Sequence, residues 1–192
     1  MADVTNVLIV GVGGQGTLLA SKIIGQVAML EGLAVKQSEV HGMAQRGGSV
    51  VTHVRFGDKV YSPLVEKGEA DIILAFENLE ALRWAEYLRP GGTLIINDQE
   101  IPPMPVIIGA AVYPQQIFDR LTAAGINVVR VNALELAQSI GETRTVNVIL
   151  LAVAAKRMGY PKKLWEEAMQ EAVPSKALAV NLQALSIGWD LG

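Results

Sequence analysis

A glycine-rich turn near the N-terminus has the residue types and spacing that could bind a phosphate. In Gly11-Val12-Gly13-Gly14-Gln15-Gly16, the glycines at 11, 13 and 16 follow the GxGxxG pattern between a predicted strand and a predicted helix. Glycines allow the backbone to approach a phosphate closely, and the free N–H groups and positive dipole end of a helix N-terminus attract anions. The same spacing also forms tight strand-to-helix turns that bind nothing, so both interpretations stay open.

A second loop, from His41 to Gly48, combines polar side chains with three glycines directly after a predicted strand. Arg46 could donate a forked pair of hydrogen bonds to a carboxylate or phosphate, and His41 could titrate near neutral pH. Alternatively, both side chains could hold the loop through hydrogen bonds to backbone carbonyls. The candidate cofactor-binding residues of the two segments are Gly11, Gly13, Gly14, Gln15, Gly16, His41, Gly42, Gln45, Arg46, Gly47 and Gly48.

The position of Glu39 raises a rival hypothesis. This acid follows Gly16 by 23 residues, close to where a dinucleotide-binding domain places the carboxylate that binds a ribose. The chain could then be a stand-alone Rossmann-type NAD(P)-binding dehydrogenase or redox sensor. The absence of an evident second domain for a substrate weakens this hypothesis, and a pure scaffold is a third alternative.

The sequence contains no arrangement typical of a self-sufficient enzyme. It has no cysteine and only two histidines, which excludes a cysteine-ligated iron–sulfur cluster in this chain and makes a zinc site improbable. We expect no catalytic residue and no metal ligand here. His53 lies mid-strand as a packed or surface histidine, Asn78 is predicted to cap a helix, and Asn97 with Asp98 favours an Asx turn.

The elements that must position the two loops alternate between strands and helices. Apolar strands are predicted over residues 6–10, 33–40, 49–56, 71–76, 93–97 and 127–131. Residues 59–62 are expected to pair back on 49–56 as a hairpin across Gly57-Asp58. Helices fill the intervals, and the chain is helical from Arg144 onward, with Val146–Val153 apolar on every side. The predicted fold is α/β: a three-layer Rossmann-like mixed sheet with a β-hairpin insertion and a helical C-terminal end, in a single domain over residues 1–192.

Composition restricts the partners of the chain. Hydrophobic residues make up 51% of the 192 positions, and the net charge is −3 with the signs mixed. Neither a nucleic acid nor an anionic membrane is expected, because phosphate groups need a clustered positive surface. No apolar run reaches the length of a membrane span, and the acidic start has no signal-peptide pattern, so the expected location is cytoplasmic.

Three stretches resemble a known family. They are Ile9-Val10-Gly11-Val12-Gly13-Gly14-Gln15-Gly16, the run from Ser38 through Glu39-Val40-His41-Gly42-Met43-Ala44-Gln45-Arg46-Gly47-Gly48 to Ser49, and Ser62-Pro63-Leu64 with residues 70–77. Together they look like the gamma domain of 2-oxoacid:ferredoxin oxidoreductases, and most of all like the beta-subunit type of the indolepyruvate:ferredoxin oxidoreductases. The resemblance covers nearly the whole chain, and the second run is its specific part.

The resemblance implies a division of labour between two subunits. A larger partner would carry thiamine diphosphate and [4Fe–4S] clusters, while this chain alone would hold no cofactor. The complex would decarboxylate an aryl 2-oxoacid, form an acyl-CoA and pass electrons to ferredoxin. Coenzyme A is then a possible shared substrate whose phosphates would suit the glycine turn and Arg46. An isolated chain could form a homodimer, and part of its helical end or the adjacent sheet face is expected to form an interface.

Overall fold

One mixed six-stranded sheet forms the centre of the molecule. The computed structural model describes residues 4–42 and 48–192. The strands lie in the order β2-β3-β1-β4-β5-β6, and their bounds are β1 Thr5–Val12, β2 Ala34–His41, β3 Ser49–Gly57, β4 Ala70–Ala75, β5 Leu88–Asn97 and β6 Asn127–Val131. Strands β1, β4, β5 and β6 run parallel, whereas β3 is antiparallel to both of its neighbours.

Helices cover both faces of the sheet. Their bounds are α1 Thr17–Leu30, α2 Asn78–Trp84, α3 Met104–Ile107, α4 Ile117–Ala123, α5 Ala133–Ser139, α6 Val146–Arg157, α7 Lys162–Ala172 and α8 Ser175–Leu191. Alternation along β1 sends Val7 and Ile9 into a core with α1 and α5 to α8, and Leu8 and Val10 into a second core with α2 and α4. The predicted three-layer α/β architecture with a mixed sheet is therefore confirmed.

The predicted hairpin between residues 49–56 and 59–62 is wrong. Residues 59–62 form no strand, because β1 and β2 already occupy both edges of β3. Instead, the Arg55 guanidinium of β3 donates hydrogen bonds to the carbonyls of Ser62 (3.3 Å) and Leu64 (3.0 Å), which ties this segment to the sheet. The antiparallel hairpin is thus formed by β2 and β3, and β3 lies between β2 and β1.

Helix α6 confirms the prediction of an apolar helix that is buried all round. Its residues from Asn147 to Ala155 are buried, with the sheet on one side and α8 on the other. Gly188 of α8 makes this packing possible, because a Cβ at that position would lie 2.2 Å from the carbonyl oxygen of Ile149. No helix of the described residues has the length and apolar character needed to cross a bilayer.

Candidate functional site

Both candidate segments lie at the same edge of the sheet. Strands β1, β4, β5 and β6 end at this edge, and because β3 is antiparallel, it begins there, opposite the end of β2. The register pairs Val12 with Ser49 and His41 with Val50, so the glycine turn and the ends of the 41–48 loop are neighbours in space. In open α/β sheets, ligands bind beyond the carboxyl ends of the strands.

The glycine turn contains two residues with a left-handed backbone. Gly14 (φ 100°) and Gly16 (φ 82°) lie in the left-handed region, where glycine has no steric penalty. Gly16 precedes α1 without a side-chain cap. Among the described residues, no acceptor serves the N–H groups of Gly14, Gly16 or Thr17, so these donors and the positive end of α1 have no protein partner there. Such a surface attracts an anion.

Three other residues of the turn have structural roles. The side chain of Gln15 folds back, where Oε1 accepts the Val12 N–H (2.7 Å) and Nε2 donates to the carbonyl of Phe76 (3.0 Å). Gly11 leaves the space for this arrangement, since a Cβ there would lie 2.8 Å from Gln15 Oε1. Gly13 donates its N–H to the carbonyl of Gly48 at 2.9 Å. These contacts fix the turn and leave Gly14 and Gly16 as the groups that a ligand could reach.

A cleft lies on each side of the glycine turn. The first has a volume of about 660 Å³, and its lining residues are Gly13, Gly14, Gly16, Thr17, Leu18, His41, Gly42 and Val50. The second has about 490 Å³, and its lining includes Gln99, Thr143, Arg144 and Asn147. The turn therefore forms a ridge between two cavities, each large enough for part of a cofactor-sized molecule.

The ends of the 41–48 loop are held by backbone hydrogen bonds. The Gly42 N–H donates to the Ser49 carbonyl (2.9 Å), and the Gly48 carbonyl accepts from Gly13. His41 is half exposed and contacts the carboxylate of Glu39. The other predicted binding residues of this loop, Gln45, Arg46 and Gly47, lie outside the described residues, so their proposed role stays a prediction.

The geometry does not support a ribose-binding role for Glu39. Strand β3 lies between β1 and β2, so Glu39 is not on the strand next to the glycine turn. Its carboxylate accepts a hydrogen bond from the Thr52 hydroxyl (3.0 Å) and contacts His41. The spacing from Gly16 suggested a dinucleotide carboxylate only because the sequence did not reveal the inserted strand.

A buried polar cluster beside the glycine turn was not predicted from the sequence. Glu77, which is 1% exposed, accepts hydrogen bonds from the Glu80 N–H (2.9 Å), the Ile101 N–H (3.0 Å) and the Tyr113 hydroxyl (2.5 Å). Burial and the bond to Glu77 raise the pKa of Tyr113 well above its ordinary value. Glu77 thus caps α2, and the predicted cap Asn78 is wrong, because the extended backbone of Glu77 directs its carboxylate to the first turn.

Glu80 is the second buried acid of this cluster. Burial raises its pKa, although a hydrogen bond from Ser49 and the charge of Arg83 act in the opposite direction. Ser49 and Glu80 line a third cavity of about 330 Å³ together with Val12, Gly48, Glu77 and Arg83. The sequence signal for this pair of buried acids was the Glu77-x-x-Glu80 spacing after a strand. The same spacing also occurs at ordinary helix starts.

The remaining polar residues singled out in the sequence are structural. His53 is 7% exposed, its Nδ1 accepts the Val65 N–H (3.1 Å), and burial lowers its pKa. Asn97, at the end of β5, is fully buried and joins the residue after β4 to the start of α5, since its Nδ2 donates to the Phe76 carbonyl and its Oδ1 accepts the Ala133 N–H. Within residues 4–42 and 48–192, no group of three or more His, Asp or Glu side chains has an arrangement that could hold a metal ion.

Comparisons with known proteins agree over nearly the whole chain. The sequence profile of the family described as pyruvate ferredoxin/flavodoxin oxidoreductase matches residues 6–191. The indolepyruvate oxidoreductase subunit IorB of Pyrococcus horikoshii is 41% identical over 188 residues, which cover 95% of this chain and 93% of that protein. The chain therefore spans almost the full length of this relative.

Two solved structures share the fold. The gamma subunit of a keto/oxoacid ferredoxin oxidoreductase from Geobacter sulfurreducens superposes with a TM-score of 0.73 at 22% identity, covering 97% of both chains. The 2-oxoglutarate:ferredoxin oxidoreductase from Magnetococcus marinus, solved with 2-oxoglutarate, coenzyme A and succinyl-CoA bound, has a TM-score of 0.75 at 17% identity. That match covers 98% of this chain but 31% of the longer one, so the fold also occurs as part of a larger polypeptide.

Proposed function

Because the chain belongs to the pyruvate ferredoxin/flavodoxin oxidoreductase family, we propose that it is the small subunit of an indolepyruvate:ferredoxin oxidoreductase. In this role it supports the oxidative decarboxylation of an aryl 2-oxoacid to an acyl-CoA. A larger partner subunit passes the electrons to ferredoxin. The observation that carries the proposal is the 41% identity to a subunit named for indolepyruvate, over 95% of the chain.

The redox cofactors of the complex belong to the larger subunit in this proposal. The 192 residues include no cysteine, so this chain supplies no thiolate ligand for an iron–sulfur cluster. When bound to the partner, thiamine diphosphate supplies the ylid for decarboxylation and [4Fe–4S] clusters accept the electrons. The work of the small subunit is then binding and positioning, and we place the complex in the cytoplasm.

The glycine turn is the part of this chain that we assign to ligand binding. The N–H groups of Gly14, Gly16 and Thr17, which lack an acceptor among the described residues, and the N-terminus of α1 would bind a phosphate of coenzyme A. The clefts on both sides of the turn would accommodate the neighbouring parts of the molecule. Arg144 lines the second cleft and adds a positive charge to the same edge.

Reconstitution of the complex tests this function. The small subunit is purified alone and also co-expressed with the larger subunit, and indolepyruvate-dependent reduction of a viologen dye is measured with and without coenzyme A. We expect the isolated chain to be colourless and inactive, and the complex to turn over with coenzyme A. Turnover or iron–sulfur absorption by the isolated chain, or a complex that is indifferent to indolepyruvate, would contradict the proposal.

A further inference from the structure

The hydrogen bond between Ser49 and Glu80 lies directly beneath the candidate site. Ser49 is the first residue of β3, and its hydroxyl donates to Glu80 Oε2 at 2.5 Å. Glu80 is on α2 and is 3% exposed. This bond joins β3 and α2, through two residues that are 31 positions apart in the sequence, at the edge where the glycine turn lies.

A carboxylate at this buried position is unfavourable for the fold alone. Burial disfavours its charged form, as its raised pKa indicates. Hydrogen bonds from Ser49 and Trp84, and the charge of Arg83, whose half-exposed guanidinium donates one bond of 3.0 Å, offset this only in part. Helix α2 does not need Glu80 as a cap, because Glu77 performs that function. An apolar residue would fill the space at a smaller desolvation penalty. The stability of the fold alone therefore does not explain why an oxygen that accepts the Ser49 hydroxyl bond is present here.

Ser49 connects Glu80 to both parts of the site. Its carbonyl accepts the Gly42 N–H, which closes the ends of β2 and β3. The carbonyl of the preceding residue, Gly48, accepts the Gly13 N–H of the glycine turn. A shift of Ser49 would therefore move the neighbours of both Gly42 and Gly13.

We propose that Glu80 is a positioning residue, which acts through Ser49 to hold the glycine turn and the ends of β2 and β3 in the arrangement that binds the anionic substrate. The proposal rests on the function proposed above, since it assumes that the turn binds coenzyme A. Glu80 itself touches no substrate. Its oxygen, rather than its charge, is what the hydroxyl of Ser49 requires.

Four variants of the full chain separate this role from a general contribution to stability. Ser49→Ala removes the donor, Glu80→Met removes the acceptor at similar volume, and Glu80→Gln keeps an acceptor oxygen without the charge. Ser21→Ala is the matched control, because the one hydrogen bond of that buried hydroxyl within the described part of the chain goes to the Leu18 carbonyl of α1. Amide exchange is measured by NMR on the isolated chain, and kcat and KM for coenzyme A are measured on the reconstituted complex.

We expect faster exchange at the Gly13 and Gly42 amides in Ser49→Ala and Glu80→Met, with the Phe76 amide, bonded to Val10, unchanged. In the complex, KM for coenzyme A should rise by up to about tenfold with kcat within about twofold, in line with the loss of one hydrogen bond. Glu80→Gln should restore most of both properties, and Ser21→Ala should behave as wild type.

Unchanged exchange at Gly13 and Gly42 would overturn the inference, whatever the activity. Faster exchange with an unchanged KM would also overturn it, because the contact would then be structural only. If turnover of the wild-type complex does not depend on coenzyme A, the proposed function of the glycine turn fails. The amide exchange data then still decide whether Glu80 holds the glycine turn in place.

Discussion

His53 provides a test of burial at the scale of one residue. Burial lowers its pKa below the ordinary value of 6.5, so the folded chain keeps this imidazole neutral while the unfolded chain takes up a proton. The stability that depends on the neutral form is complete above about pH 6.5 and is lost as the pH falls through the lowered pKa.

We expect the melting temperature of the wild-type chain to fall in this acidic range and that of His53→Asn to fall less. Asparagine keeps an oxygen acceptor for the Val65 N–H but does not titrate. His41→Asn, at a half-exposed site, controls for the loss of one imidazole. If the melting temperatures of wild type and His53→Asn fall equally steeply as the pH drops below about 6.5, His53 does not cause the loss of stability in acid.

Arg46 tests the ligand role of the polar loop. We expect Arg46→Ala to leave the melting temperature of the small subunit unchanged and to reduce turnover of the reconstituted complex about tenfold or more at limiting coenzyme A, because one charge-assisted contact is worth roughly 1.5–3 kcal/mol. The comparison is made at saturating and limiting coenzyme A. A rate that falls only in step with the loss of folded protein would assign Arg46 a structural role.

At this scale the sequence predicted backbone roles better than side-chain roles. The left-handed positions of Gly14 and Gly16 follow from the glycine pattern, because few other residues adopt that conformation. The hydrogen bond of Gln15 to Phe76 and the Ser49–Glu80 bond depend on neighbours that are distant in sequence. A single sequence contains no signal for such pairs.

Gly188 tests the packing of α6 against α8 at the scale of elements. A methyl group at this position would lie 2.2 Å from the Ile149 carbonyl oxygen and 2.7 Å from the Ala152 Cβ, so one helix must move. We expect Gly188→Ala to lower the free energy of unfolding by about 1–3 kcal/mol despite the better helix propensity of alanine. Urea denaturation measures the change. Gln183→Ala, at an exposed position on α8, is the control and should leave the free energy of unfolding unchanged or raise it. A Gly188→Ala chain as stable as wild type would refute this packing.

The elements were largely predictable because their hydrophobic periods are strong. The apolar runs of β1 and α6 and the start of α8 after Pro174 all follow from composition and spacing. The pairing of the strands was not predictable, because the β-branched residues from Val50 to Val54 could pair equally well with any neighbouring strand. The sequence therefore predicted a hairpin with the nearest segment, whereas the structure pairs β3 with two strands that precede it.

At the scale of the whole molecule, an uncharged exposed segment marks the surface on which we expect the larger subunit to dock. Residues 101–118 contain no charged side chain. Four large apolar side chains in this segment are exposed, namely Met104 (65%), Ile107 (66%), Ile108 (68%) and Val112 (87%). Depletion of charge together with apolar and methionine side chains is typical of an interface core.

Lysine substitutions test this surface. We expect Ile108→Lys with Val112→Lys to weaken association with the larger subunit at least about tenfold, because docking would bury two unpaired charges, and to leave the melting temperature of the isolated chain unchanged. Met29→Lys, at an exposed apolar position near the end of α1, is the matched control. Sedimentation of the mixed subunits gives the affinity and also reports any homodimer of the isolated chain. Undiminished affinity of the double variant would place the interface elsewhere, including at the helical end that the sequence suggested.

The family itself was recognisable from the sequence, and the match over residues 6–191 confirms the resemblance. The motif around His41 to Gly48 sufficed for recognition because its order of residue types is unusual. The function of individual residues does not follow from such a match, since contacts across the sheet edge arise only when the strands are assembled.

The insertion of β3 between β1 and β2 also constrains how the chain reaches its native state. The register joins Thr5 to Phe56 and Ala34 to Gly57, so neither β1 nor β2 completes its pairing with β3 until residue 57 has left the ribosome. Before that moment the nascent chain displays an apolar strand with open edges, a template for aggregation. Pairings of this sequence separation also form slowly. The β2–β3 part of the edge that we assign to ligand binding can therefore assemble first, before β4, β5 and β6 have been synthesised.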